Sequence, residues 1–181
     1  TPNWIVKYMV QNTLGRIYLD NNPNAQSIKS QMKYLVEPTS PSPEELILHY
    51  TDVHQLTIAD LACGSGHILN EAFDLLFAIY IEEGYTRRQA IKEIFEYNLL
   101  GIDLDTRAKQ LAMFALLLKA CQKDKSFLDA QTLPRVLDMH VADLLIELNA
   151  KANLSTILNE FFAGANEEVI NETIAALKLL Q

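Results

Sequence analysis

A chain of 181 residues is long enough for about one domain, and with 49% hydrophobic residues it can bury a substantial core. Fifteen Lys and Arg against 23 Asp and Glu give a net charge of -8, which excludes a self-sufficient nucleic-acid binder of the basic kind. Two cysteines without a CxxC spacing and no basic, apolar leader exclude a disulfide scaffold and point to a reducing cytoplasm, while the longest apolar run, Leu111 to Leu118, is far short of the roughly 18 residues needed to span a bilayer.

In chain order, Thr1-Pro2-Asn3-Trp4 offers a capping hydroxyl and an early proline ahead of Ile5, Val6, Met9, Val10 and Leu14. This predicts one short helix stopping at Gly15. Asp20 to Asn24 is turn chemistry, and Glu37 to Pro43 holds three of the six prolines and reads as a surface linker. A short helix is predicted over 44–50, then a parallel strand over Leu56 to Leu61 that ends at a glycine pair. From His67 to Glu83, Ile68, Leu69, Ala72, Phe73, Leu76, Phe77 and Tyr80 recur at helical steps, and Gly84 ends that helix. Thr86 with Gln89 forms a capping box for a second helix, reaching Tyr97. Leu99 to Asp103 is a second strand. Asp105 or Thr106 caps a third long helix whose apolar positions run through Leu111, Phe114, Ala115, Leu118 and Cys121, and Val136 to Asp143 is a third strand. The remainder, from Leu144, is read as helical in two pieces broken near Gly164. The expected organisation is a helical segment over 1–36, a Pro/Ser-rich linker with a short helix over 37–55, an α/β core over 56–145 and a helical segment over 146–181.

Alternating strands and helices define a doubly wound α/β sheet, whose ligands sit at the carboxyl ends of its strands. Asp60-Leu61-Ala62-Cys63-Gly64-Ser65-Gly66-His67 occupies such a place, where glycines let the backbone approach a ligand and free N–H groups face it. It is neither a P-loop nor the dinucleotide fingerprint, since no GxxxxGK[ST] exists and no glycine follows Gly66 at the third position. Asp103, a carboxylate ending the second strand, is placed to bind a ribose diol.

DLACGSGH resembles the AdoMet-binding motif of N6-adenine DNA methyltransferases, with Leu61 in the usual proline position. The resemblance extends over most of the chain: TPNWIVKYMVQNTLG is similar to the family's amino-terminal Thr-Pro motif, GIDLD to its acidic second strand and VADLL to its third, in the family's order. The pair of helices between the first two strands is similar to those of the large bacterial adenine methyltransferases of phage defence (BREX and phage growth limitation) and of type IIG restriction-modification. The resemblance implies a partial Rossmann-like fold of about three parallel strands. It implies AdoMet as cofactor, with Thr1 and Pro2 beside its methionine part, Asp60, Ala62, Cys63, Gly64, Ser65, Gly66 and His67 around it, Asp103 and Leu104 at its ribose, and Asp143 and Leu144 at its adenine.

Simpler readings stand beside these. Asp105 reads as a plain helix cap, Cys63 as a small residue packed below the turn, and Trp4, Tyr8 and Tyr18 as packing rather than a stacking platform. The histidines lack zinc-site spacing. Adenine methylation also needs a polar-Pro-Pro-aromatic loop after the fourth strand, and no two prolines here are adjacent. The expectation is a cofactor-binding half that ends before the catalytic loop and carries no catalytic residue. DNA is then gripped by other parts of the parent, and the carboxyl-terminal apolar stripes either cover the sheet or form a homodimer. A methyltransferase for RNA, protein or a small molecule, and a non-catalytic AdoMet-binding scaffold, remain open at this point.

Overall fold

The computed structural model of the chain describes residues 1–38, 40, 43, 47–129 and 132–138. Its first helix, α1 (Asn3–Asn12), starts at Pro2, whose carbonyl accepts from the Ile5 and Val6 N–H groups. No side chain caps it, so the Thr1 hydroxyl does not have the predicted role. Nor does the helix stop at Gly15. The chain breaks at Thr13 and resumes as α2 (Leu14–Asn21), with Gly15 inside it. The reason is steric: a Cβ on Gly15 would collide with the Met32 sulfur and touch Leu75, so the glycine admits a neighbour rather than ending a helix. A short α3 (Gln26–Gln31), which the sequence pattern did not suggest, follows the turn at Pro23. The helix predicted over 44–50 is absent from 47–50, which have no regular structure.

Three parallel strands, β1 (Ile58–Asp60), β2 (Leu99–Asp103) and β3 (Val136–Asp138), form one sheet in the order β1-β2-β3. Asp60 is level with Gly101, and Asp103 with Asp138. The predicted remainder of the third strand, to Asp143, and the carboxyl-terminal helical pieces lie outside the described residues.

The first crossover contains α4 (His67–Glu82) and α5 (Arg87–Glu93). Between them the Tyr85 N–H returns to the Tyr80 carbonyl and the Gly84 N–H to that of Ile81, while the two tyrosine rings meet edge to face at 4.9 Å. This closes one helix end. The Thr86–Gln89 capping box opens the next. After α5 a wide π-type turn, Ile94–Asn98, delivers the chain to β2. The second crossover is α6 (Thr106–Lys123), capped by Asp105, whose carboxylate accepts from the Arg107 N–H at 2.8 Å. Right-handed connections stepping in one direction across the sheet place both crossovers on one face. There α4 packs on β1 and β2, and α6 on β2, β3 and α4.

The core lies beneath this helical layer, with Leu69, Phe73, Leu76, Tyr80, Ile91 and Phe95 fully buried. Helix α6 turns a different face inward from the one its large apolar residues mark. Ala112, Leu116 and Ala120 are buried, whereas Leu111, Phe114 and Leu118 are exposed. Small residues are needed inside because a Cβ on Gly66 would already stand 3.0 Å from that of Ala112. Among the described residues no helix is long and apolar enough to cross a membrane.

Candidate functional site

The first crossover begins with a turn fixed by backbone bonds. The Cys63 N–H donates to the Ile102 carbonyl at 2.9 Å, carrying β1–β2 contact past Asp60, and the Gly66 N–H donates to the Cys63 carbonyl at 2.8 Å. Gly64 and Gly66 both have positive φ, +53° and +79°, where an L side chain is strained. A Cβ added to Gly64 would meet nothing within 4 Å, so the backbone there faces open space.

Asp103 closes this turn onto β2. Its Oδ2 accepts from the Gly64 N–H at 2.7 Å and its Oδ1 from the Asp105 N–H at 2.9 Å. These bonds, that of Asp105 first, hold the carboxyl below the usual aspartate range. Thus the glycine turn after β1 and the acid ending β2, 39 residues apart, form one constellation at the carboxyl ends of adjacent strands. A carboxylate has about four lone-pair positions, so each Asp103 oxygen keeps acceptor capacity for a hydroxyl. Leu61 and Leu104, both more than two-thirds exposed, are the apolar side chains following the two strand ends.

The other predicted residues divide clearly. Asp60 uses one oxygen to accept from the Ala62 N–H at 3.3 Å. Ser65 and His67 are exposed at the turn, with the Ser65 hydroxyl 3.4 Å from His67 Nδ1. The Cys63 thiol is buried beneath it, beside Gly101, and burial followed by the Asp60 and Asp103 charges pushes its pKa up. That makes it a packing group; only its backbone belongs to the turn. Thr1 and Pro2 are exposed ahead of α1, whose Asn3 lines a cleft of about 380 Å³ together with His67 and Asn70, so the start of α1 is brought to the start of α4. Asp143 and Leu144 lie outside the described residues. Trp4 and Tyr8 correct the packing expectation: only Tyr18 of the three aromatics is buried.

Two supporting residues were not foreseen. Asn70, one turn into α4, donates from Nδ2 to the Gly66 carbonyl at 2.8 Å, and its Oδ1 is buried with no hydrogen-bond partner among the described residues. Asn98, 1% exposed, donates to the Val53 and Leu56 carbonyls at 2.8 and 3.0 Å and accepts from the Tyr80 hydroxyl at 2.8 Å. It thereby ties the approach to β1 to the start of β2. The signal for Asn70 was its place four residues after Gly66; Asn98 gave none.

The sequence of the chain is similar to those of known proteins. Residues 36–168 match the family model of the MmeI DNA-methyltransferase domain. Over 134 residues the chain is 42% identical to the adenine-specific methyltransferase BrxX of Escherichia coli O9:H4 (strain HS), covering 71% of this chain and 11% of that protein. Over 183 residues it is 34% identical to the adenine-specific methyltransferase PglX of Lacticaseibacillus casei (strain Zhang), covering 91% of this chain and 15% of that protein. The chain therefore spans less than a sixth of the length of these relatives.

Proposed function

The chain belongs to the family of the MmeI DNA-methyltransferase domain, and from that premise we propose that it forms the methyl-donor-binding half of an adenine-specific DNA methyltransferase acting in phage defence or restriction-modification. The observation that carries this reading is the Asp103–Gly64 hydrogen bond, which makes the acidic strand end and the glycine turn a single site.

AdoMet is the donor this site suits. Its ribose offers two neighbouring hydroxyls to a carboxylate with spare acceptor positions, and the turn backbone faces open space beside Gly64. When bound, AdoMet supplies a methyl group activated by a sulfonium. The protein's own residues bind and orient: Asp103 accepts from the ribose, the turn from Asp60 to His67 shapes the pocket floor, and Thr1 and Pro2 enter from the start of α1. Asp143 and Leu144 are assigned to the adenine of the donor. The groups that grip DNA and hold the target amino group belong to other parts of the polypeptide, in keeping with net charge -8 and the lack of adjacent prolines. The place of action is the cytoplasm, where the DNA is.

Calorimetric titration with AdoMet or its demethylated product tests the assignment. Binding is expected, and Asp103→Ala should weaken it by about tenfold or more, as for loss of a charge-assisted hydrogen bond. Gly66→Val should abolish it by forcing a side chain into a left-handed backbone against Ala112. Unchanged affinity in both folded variants sinks the reading.

A further inference from the structure

Positive charge is gathered at one place on this acidic chain. Residues 86–92, at the start of α5, and 119–126, at the end of α6, hold six cations, Arg87, Arg88, Lys92, Lys119, Lys123 and Lys125, against one acid, Asp124. The fold brings the two segments together. Arg87 Nη1 donates to the Lys123 carbonyl at 3.4 Å. Asp124 is held below the usual aspartate range first by the hydrogen bonds from Ser126 and then by the Arg88 and Arg87 charges, so both guanidiniums stand near it.

Three of the six cations are already engaged. Lys119 and Lys123 pair with Asp74 on α4, and Lys92 pairs with Glu96 in the turn after α5. Arg87, Arg88 and Lys125 are exposed and make no ion pair among the described residues. Acids farther off than a Debye length, about 8 Å at physiological salt, are screened, so the local sign and not the net charge decides what this patch attracts. The patch is also distant from the donor turn. Helix α6 begins beside Asp103, and its 18 residues carry the chain about 27 Å to Lys123.

We propose that Arg87, Arg88 and Lys125 bind backbone phosphates of the duplex flanking the target, a supplementary contact to the DNA grip supplied elsewhere in the polypeptide. This rests on reading the chain as part of a DNA methyltransferase. Guanidinium groups match pairs of phosphate oxygens. A duplex rises about 3.4 Å per base pair, so DNA held at the donor end has a flank that reaches as far as the patch within about eight base pairs. A folded acidic partner fits less well, because a protein interface is built around an apolar centre and none of the exposed large hydrophobic side chains falls in either segment.

Anisotropy titration of the full-length protein with a random-sequence duplex of about 40 base pairs, repeated across salt concentrations, tests this. Arg87→Gln with Arg88→Gln should lower the slope of log affinity against log salt by about 2, since each phosphate contact contributes about 0.9. Over an about fourfold fall in salt, the wild type then gains about tenfold more affinity than this variant. Lys29→Gln with Lys33→Gln removes the same charge elsewhere and should leave the slope unchanged. Asp124→Asn should act in the opposite direction, tightening binding by about two- to fivefold. An unaltered slope in the arginine variant overturns the proposal, as does weaker binding by Asp124→Asn or a wild type that does not bind the duplex. So does an equal loss in the lysine variant, which means net charge alone, or a lowered melting midpoint without DNA beside an unaltered slope, which means an acidic partner within the protein. Failure of the AdoMet titration with the slope effect intact would remove the methyl-donor reading and leave the patch standing; an unaltered slope with normal titration would do the reverse.

Discussion

Replacing Asn98 with leucine keeps most of the side-chain volume and removes the amide from a fully buried position between β1, β2 and α4. Three groups lose a partner: the Tyr80 hydroxyl and the Val53 and Leu56 carbonyls. The Val53 carbonyl still accepts from the Leu56 N–H at 3.0 Å, so two groups are left short. A buried polar group without a partner costs about 1 to 3 kcal/mol, which sets the expected loss at about 2 to 6 kcal/mol, a large part of the roughly 5 to 15 kcal/mol that holds a domain together. At about 2 to 4 °C per kcal/mol for a chain of this size, the melting midpoint should fall by roughly 5 to 20 °C. Urea denaturation followed by far-ultraviolet circular dichroism reads the free energy. Tyr80→Phe is the companion, expected to cost about 1 to 2 kcal/mol, and the double variant should lose less than the sum by about 1 kcal/mol. A cost below about 1 kcal/mol for Asn98→Leu, or an additive cycle, would refute the view that this amide holds the entry to β1.

Two further outcomes follow from neighbouring contacts. Gly101→Ala should cost about 1 to 3 kcal/mol, because the new Cβ would stand 2.6 Å from Leu69 Cδ1 and 3.3 Å from the Cys63 sulfur; it should also weaken donor binding by displacing the base of the turn, and unaltered stability would show that the core has slack there. Asp138 is held down to about 2, first by its hydrogen bond from Lys109 Nζ at 2.6 Å and then by that from Thr106. Its folded value lies below the unfolded one, so its contribution is complete above about pH 4 and is lost as pH falls towards 2. Lys109→Met should flatten the acid limb of the stability profile in that window, and an unchanged limb would deny the ion pair any part in it.

Much of the fold was legible where the signal is local. The end of α4 at Gly84, the Thr86–Gln89 box, the Asp105 cap and the limits of β2 each depend on residues within a turn of one another. The placing of the glycine turn and Asp103 at the ends of adjacent strands was legible too, although the hydrogen bond joining them depends on how the sheet closes. What escaped depends on distant partners. Gly15 looked like a helix stop because its reason, Met32, is 17 residues away, and Asn98 looked unremarkable because it bonds residues 42 and 45 positions earlier. Helix α6 is apolar on several sides, so periodicity could not say which side faces α4; the decision falls to the small residues that permit close approach at Gly66. Trp4 and Tyr8 are the same problem seen on α1.

The bond between Asp103 and the Gly64 N–H also bears on rates. A turn that is already fastened to the neighbouring strand does not have to order itself when a ligand arrives, so little conformational entropy is surrendered in the encounter. Arrival is then governed by diffusion into the open space beside Gly64. On the proposed reading, the donor and its demethylated product would present the same ribose to Asp103, so any difference between them would fall on residence time through contacts at the sulfur rather than at the carboxylate. If the chain serves a methyltransferase as proposed, a turn whose shape persists would suit the exchange of a spent donor for a fresh one.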